Sequence, residues 1–315
     1  MSGISEHKII NYIKKKFPIK NKEILRGIGD DATVLRNGLI ISTDSFFENI
    51  HFRFEYFDMY SIGYHCLSAS LSDLAAMGAK PVGALIAICL SSETGMSDIK
   101  ELYRGFQTLR KRYNFDIVGG DIVRGQVFGL TITVIGRANK PLLRCGARPG
   151  QDLYVTNFLG LAETGRRVLE QGLSRKRYPD SVNKHLFPEP GFDAAKIIKK
   201  FATACIDTSD GLSTDSHHLA ESSRVKVIID GAHIPIHPEV GMLCGSQGID
   251  PLDFILSNGE DFELLFTAYN LPKTLRIKIF KIGRVEKGKG VWLSYRGKVR
   301  PIPASGYDHL KSLSH

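Results

Sequence analysis

The chain has 315 residues, of which 43% are hydrophobic and 9% aromatic, enough to fill one large core or two ordinary ones. Its formal charge is +9, yet the basic residues are dispersed or sit in short runs such as Lys14-Lys15-Lys16 and Arg110-Lys111-Arg112. That distribution reads as a generally basic surface rather than a nucleic-acid groove.

In chain order, residues 5–16 place Ile9, Ile10 and Ile13 on one side of a helix. The segment from Met1 to Lys20 is polar and lysine-rich, so no secretory signal is read. A glycine turn, Gly27-Ile28-Gly29-Asp30-Asp31, leads into a strand through Val34-Leu35. Gly38 to Asp44 reads as a short buried strand ending in Ser42, Thr43 and Asp44, with His51-Phe52 in the loop beyond. A helix then runs from about Tyr60 to a stop signal at Gly78, with Pro81 following. Asp73 falls near the negative end of that helix dipole, where a carboxylate is disfavoured unless positive charge is close. Such an acid is either a solvated surface residue or a metal ligand.

Val82–Leu90 is the longest apolar run, a buried strand too short to cross a bilayer, so no membrane partner is expected. Residues 97–112 read as an amphipathic helix, Phe115–Asp121 as a strand and Val127–Gly136 as another. Glycine and proline cluster at Arg144–Gly150, which divides the chain into domains 1–146 and 147–315. Beyond it come strand Leu153–Thr156, helices over 160–171 and 193–202, and the strand, acidic turn and helix start of Ala204–Leu212. Ser209 or Asp210 is placed to cap that helix. Strands follow at Val225–Ile229, Phe262–Thr267 and Ile279–Val285, and the mixture with antiparallel pairing indicates an α+β class. Five scattered cysteines (Cys66, Cys89, Cys145, Cys205, Cys244) form no Cys-x-x-Cys pair, which points to a reducing cytoplasm and away from a disulfide scaffold or thiolate zinc site.

One pattern recurs: a strand end or turn delivers carboxylates beside glycines or hydroxyls. Its members are Asp30-Asp31, Ser42-Thr43-Asp44, Asp73, Gly119-Gly120-Asp121, Asp207-Thr208-Ser209-Asp210 and Glu260-Asp261. These are the hard oxygen ligands Mg²⁺ prefers, and Mg²⁺ shares its shell with substrate phosphates. Taken singly, each acid reads as a turn or cap residue. As a converging set they would repel one another unless cations held them together. His51 and Arg144 are candidate phosphate contacts and Tyr103 a candidate base-stacking ring, against loop, surface and core roles. His217-His218 reads as solvated. No serine–histidine–acid spacing stands out, so metal-assisted phosphoryl chemistry is favoured over nucleophilic catalysis.

Two near-matches to nucleotide motifs fail. Gly27 to Ala32 fits Gly-x-Gly-x-x-Ala, but its two acids would face a pyrophosphate and no strand-to-helix turn is present. Gly283 to Gly290 imitates a P-loop but ends in glycine where a metal-binding hydroxyl is required, and Val291–Tyr295 beyond it reads as a strand.

The acidic motifs, joined to Leu71-Ser72-Asp73-Leu74-Ala75-Ala76-Met77-Gly78-Ala79, Ile206 to Leu212 and Gly259-Glu260-Asp261-Phe262-Glu263-Leu264, resemble the thiamine-monophosphate kinase family. The resemblance runs in order across nearly the whole chain, to Gly306-Tyr307-Asp308-His309. It implies a two-domain fold of the aminoimidazole-ribonucleotide-synthetase type, with an N-terminal sheet that joins a barrel across a homodimer. It implies ATP-dependent phosphorylation of thiamine monophosphate to thiamine diphosphate, with several Mg²⁺ ions. Carried over motif by motif, Asp30, Ser42, Thr43, Asp44, Asp73, Asp121, Asp207 and Asp210 are the implied metal ligands, with Asp73 and Asp210 at the centre of catalysis. Tyr103, Gly120, Asp121, Arg144 and Ser209 are the implied ATP contacts, and His51, Glu260 and Tyr307 the implied contacts to the thiamine phosphate. One departure is Asn258, where the family carries a glycine; asparagine tolerates unusual backbone angles better than most residues. The related selenophosphate synthetases fit less well, since no cysteine lies in the N-terminal glycine-rich loop. A basic nucleic-acid-binding protein would leave the ordered acids unexplained.

Overall fold

The computed structural model describes residues 5–272, 274–307 and 310, so Asp308 and His309 of the last motif lie outside the described residues. Helix α1 (Glu6–Lys16) is capped by the Ser5 hydroxyl, and none of its residues is buried. Strands β1 (Ile24–Arg26), β2 (Thr33–Leu35) and β3 (Leu39–Phe47) follow, then helix α2 (Met59–Ala76), strand β4 (Lys80–Leu90), helix α3 (Met96–Tyr113) and strands β5 (Asp116–Arg124) and β6 (Gly129–Arg137). They make a six-stranded open sheet in the order β1-β2-β3-β6-β4-β5. Only β4 and β5 are parallel, and α3 supplies the crossover such a pair requires.

Helix α2 is the axis of the molecule. Leu67, Leu71 and Leu74, at i, i+4 and i+7, are wholly buried. Its start is a capping box between Asp58 and Ser61. Its end is a Schellman motif: Gly78, at φ +59°, donates to the Ala75 carbonyl, and Ala79 donates to that of Leu74. Helix α3 crosses very close, because a methyl group built on Gly105 would sit 2.2 Å from the Tyr60 carbonyl oxygen. Ser68, Ser70 and Ser72 are also buried, so α2 is not an ordinary amphipathic helix; Ser68 and Ser72 donate to the Pro188 carbonyl and the Asp207 carboxylate of the second half of the chain.

That half comprises β7 (Asp152–Thr156), α4 (Leu161–Glu170), α5 (Pro179–Leu186), α6 (Phe192–Ile198), β8 (Ala204–Asp207), α7 (Leu212–Ser223), β9 (Lys226–Asp230), α8 (Pro238–Gln247), α9 (Pro251–Ser257), β10 (Leu264–Ala268), β11 (Ile279–Glu286), β12 (Gly290–Tyr295) and β13 (Lys298–Pro301). Its sheet runs β13-β12-β9-β11-β7-β10-β8, antiparallel except for β9 and β12. Two mostly antiparallel sheets with helices packed on them are the expected mixed α+β architecture, and neither sheet is closed into a barrel.

The structure departs from sequence expectation at several places. Helices α5, α8 and α9 were not anticipated; each is ten residues or shorter and starts with proline, which fits the first helical turn but also reads as a loop breaker. Strand β13 was not anticipated either. Helix α7 is capped by neither Ser209 nor Asp210: Gly211 is the N-cap, and its N–H donates to the Asp215 carboxylate one turn along. His217 and His218 are half-buried rather than solvated, His217 bonding the Ile302 carbonyl at 2.9 Å. The P-loop imitation is a strand-to-strand turn between β11 and β12, as the sequence implied. Among the described residues no helix is long and apolar enough to cross a membrane.

Candidate functional site

Three elements converge at the C-terminal end of α2. The β1–β2 turn brings Asp31, the last turn of α2 brings Asp73, and the end of β8 brings Asp207. One carboxylate oxygen from each lies within 4.8 Å of the others. The hydroxyls that α2 and β3 carry hold these acids. Ser42 Oγ donates to Asp73 Oδ2 and sits 3.2 Å from the Asp31 carbonyl oxygen. Ser72 Oγ donates to Asp207 Oδ2 at 2.7 Å, joining the two halves of the chain through α2. Arg144 closes the inner side: its Nε and Nη2 lie 2.8 and 2.7 Å from Asp31 Oδ1, and its backbone N–H donates to Asp30 Oδ1 at 3.0 Å. Only 19% of the Arg144 side chain is exposed, so it is not a surface arginine.

Burial and mutual repulsion dominate the electrostatics. Burial pushes the Asp31 carboxyl up to about 7 against the pull of Arg144, with the Asp207 and Asp30 charges adding to the rise. Asp44 is pushed up to about 6 by burial, opposed by the neighbouring Ser70 hydroxyl and reinforced by Asp207. Asp73 rises well above the ordinary carboxylate range through burial and then the charges of Asp44, Asp207 and Asp31. Asp215 rises similarly through burial and the charges of Asp210 and Asp207. Among the described residues Asp31 Oδ2, Asp44 Oδ2 and Asp215 Oδ1 are buried without a hydrogen-bond partner. Partnerless buried oxygens are costly unless something cationic meets them, and this donor set consists of hard oxygens alone. The residues therefore fit Mg²⁺.

A second wall is built by backbone pairing of the 207–210 and 259–263 loops. Glu260 N–H donates to the Ser209 carbonyl, Phe262 N–H to that of Thr208, and Tyr307 N–H to that of Asp210. Gly259 must be glycine, because a methyl group there would lie 2.0 Å from the Ser209 carbonyl oxygen. Asn258, by contrast, has an ordinary extended backbone (φ −118°), so the unusual angles fall on Glu260 and Phe262 instead (φ +62° and +50°). Asp261 caps α4 through Gly160 and Ala162 N–H groups at 2.6 and 3.0 Å. That leaves Glu260 as the acid facing the loops; burial, then the Glu163 charge, push it up to about 7 against Arg166. His51 accepts the Phe47 N–H on Nδ1 at 3.0 Å, which fixes the neutral ring with its proton on Nε2.

The remaining expected residues are distributed unevenly. Asp30 stands beside the cluster, occupied by the Arg144 backbone, while its neighbour Asp31 supplies the clustered oxygen. Thr43 alternates to the opposite face of β3 from Ser42 and Asp44 and meets Thr133 at 3.0 Å. Asp210 lies with its carboxylate 3.9 Å from His218 Nε2. Tyr103 is half-buried with its ring edge-on to Phe106. Gly120 and Asp121 lie on the exposed edge strand β5, and Gly120 (φ +155°) would drive a methyl group into the Ile86 carbonyl. Across the sheet Asp44 aligns with Ile132, Ile86 and Gly120 in turn. Three strand spacings separate them, about 14 Å. Asp31 belonged to the acidic pattern in the sequence but not to the implied ligands, Ser72 figured there only as part of a motif, and Asp215 was not singled out.

The chain is similar to known proteins along nearly its whole length. Residues 29–138 match the family described as AIR synthase related protein, N-terminal domain. The thiamine-monophosphate kinase of Aquifex aeolicus is 31% identical over 98% of this chain and 99% of its own, and that of Bacillus subtilis 32% over 90% and 93%. The solved structure of AaThiL complexed with AMPPCP and TMP superposes with a TM-score of 0.89 at 30% identity, covering 98% of this chain and 99% of that one. On full-length identity, shared fold and the convergent acids, this chain is a kinase that belongs to the thiamine-monophosphate kinase family.

Proposed function

We propose that the protein transfers the γ-phosphoryl group of ATP to thiamine monophosphate, giving thiamine diphosphate and ADP by direct in-line displacement. The observation that carries this reading is the meeting of Asp31, Asp73 and Asp207, with partnerless oxygens on Asp31 and Asp44 beside them. The nucleotide analogue and thiamine phosphate bound by AaThiL support the choice of substrates.

Both reactants are anions, so charge repulsion is the main barrier. Mg²⁺ ions held by these carboxylates would supply the positive charge that offsets this repulsion. Asp30, Ser42, Asp44, Asp73, Asp121, Asp207 and Asp210 are assigned as their ligands, with Asp31 added, and Asp73 and Asp210 as the central pair; Thr43, whose side chain turns to the other face of β3, serves only through a backbone atom. Arg144 orients Asp31 by its double contact. Tyr103, Gly120, Asp121, Arg144 and Ser209 are assigned to ATP. His51, presenting Nε2–H, together with Glu260 and Tyr307, is assigned to the thiamine phosphate. The attacking phosphate oxygen is already ionised near neutral pH, so no side chain has to remove a proton. The new P–O bond forms to that oxygen as the bond to the ADP oxygen breaks.

The same reading assigns residues 1–146 to nucleotide, metal and dimer contacts and 147–315 to the second domain, in a reducing cytoplasm where all five cysteines stay free. It also calls for a homodimer whose N-terminal sheets form a barrel. Support comes from β5, where Val118 and Ile122 are 58% and 67% exposed on an edge strand. With Asp121 about 14 Å from Asp44 along the sheet, the partner protomer is the source of the Asp121 that meets Asp44. The deciding experiment is ADP release with purified protein. Release that requires both Mg²⁺ and thiamine monophosphate is expected. Equal release with free thiamine or formylglycinamidine ribotide would overturn the assignment.

A further inference from the structure

Helix α1 has no buried residue, yet it and the segment after it reach both His218 and the turn at Gly27–Gly29. His7 and Lys14 are seven residues apart, two turns and about 10.5 Å along one face. At one end of that face the His7 ring stacks on His218, with centroids 6.3 Å apart, and His218 stands 3.9 Å from the Asp210 carboxylate. At the other end a methyl group built on Gly29 would lie 2.7 Å from the Lys14 ammonium, and one on Gly27 would lie 2.3 Å from Ile19 Cδ1. The two glycines thus let the N-terminal segment close directly onto the turn that bears Asp30 and Asp31. Lys14 forms no ion pair among the described residues, although this turn carries two acids. Its ammonium stands at the turn that bears these acids without pairing with either.

We infer that α1 is a lid and that Lys14 is a positioning residue for the polyphosphate chain of the nucleotide bound beneath it. This rests on the phosphotransfer reading above. A lysine supplies phosphate with a mobile point charge, and a polyphosphate bound over the carboxylates lies between them and this ammonium. The lid's lack of buried contacts leaves it free to open and close without disturbing the core. Lys15 projects from a different side of the same helix and serves as the control.

The test uses the full chain with Lys14→Met, Lys14→Arg and Lys15→Met. The first should raise KM for ATP and the calorimetric Kd for AMPPCP about tenfold, the size of one partly exposed charge-assisted phosphate contact. Melting temperature and KM for thiamine monophosphate should not move, and Lys14→Arg should recover most of the loss. A Lys14→Met protein indistinguishable from Lys15→Met, or a rise confined to KM for thiamine monophosphate, overturns the inference. If the parent protein releases no ADP with thiamine monophosphate, the phosphotransfer reading fails, while AMPPCP binding still decides the role of Lys14.

Discussion

Arg144 grips a single oxygen of Asp31 with two guanidinium nitrogens, at 2.8 and 2.7 Å, and leaves the other oxygen buried with no hydrogen-bond partner among the described residues. The pair is half neutralised and half exposed to whatever the cluster binds. Lysine cannot reproduce the forked contact. Arg144→Lys should therefore weaken Mg²⁺ affinity or turnover by about 10–100-fold, the usual cost of disturbing a group that orients a metal ligand. Titration of activity against Mg²⁺ reads it, and an unchanged half-saturation point and turnover would refute the role.

Asp73→Asn should separate activity from stability. The amide keeps an oxygen to accept the Ser42 hydroxyl but removes one of several mutually repelling charges. Turnover should fall by about a thousandfold or more, the scale expected when charge stabilisation at the transferring group is lost. The metal-free protein should melt no lower than the parent. Near-normal ADP release at ordinary Mg²⁺ would remove Asp73 from the centre of the site.

Mixing two inactive proteins tests the shared site. If Asp121 reaches the Asp44 of its partner, Asp44→Ala and Asp121→Ala chains should restore activity when exchanged into mixed dimers, because one of the two sites in each mixed dimer is then intact. An affinity tag on one of the two chains isolates the mixed dimers, and assay of them gives the answer. Mixed dimers as inactive as their parents would place both residues in one chain's site.

Protons and metal compete for the same oxygens. Asp31 and Asp44 have folded values near 7 and near 6, above the ordinary 3.8. A raised value means the metal-free fold binds more protons than the unfolded chain, so these two groups make it progressively less stable as pH rises from about 4 to 7. Buried His65 and half-buried His218, lowered to about 4, act in the opposite sense over pH 4 to 6.5. The Mg²⁺-dependent part of stability isolates the carboxylates. It should approach about 2.7 kcal/mol at a hundred times Kd at pH 7.5 and shrink markedly at pH 5.5. Equal thermal shifts at the two pH values would count against the cluster as the binding site.

Positions 258 and 259 should respond differently although they are adjacent. Asn258→Gly should leave KM for thiamine monophosphate unchanged within twofold, since its backbone needs no glycine. Gly259→Ala has no room against the Ser209 carbonyl and should lower the melting temperature and raise that KM together. A harmless Gly259→Ala would mean that the two loops are not tightly paired.

What the sequence disclosed was mostly local. The stop at Gly78, the helix before it and the acids at strand ends were legible because each depends on a few neighbouring residues. The choice between Asp30 and Asp31 was not, because in a tight turn two adjacent carboxylates point in different directions and only the position of Arg144, far along the chain, selects one. Asp215 was not singled out, because nothing in its immediate neighbours marks it as the buried residue it is in the fold. His217 and His218 looked solvated because the Ile302 carbonyl and the His7 ring that flank them arrive from elsewhere in the chain. The alternation that turns Thr43 away from Ser42 and Asp44 was readable in principle, since it follows from the strand period alone.

The backbone tie between Tyr307 and Asp210 makes one acidic loop answer to two distant segments. Gly306 packs against the Asp210 carbonyl, with its own N–H on the Thr214 hydroxyl, and Tyr307 completes the turn. On its other side the same loop is paired with residues 259–263. A displacement of either segment is therefore passed through the peptide backbone to the loop that carries Asp207 and Asp210, with no side chain needed to relay it.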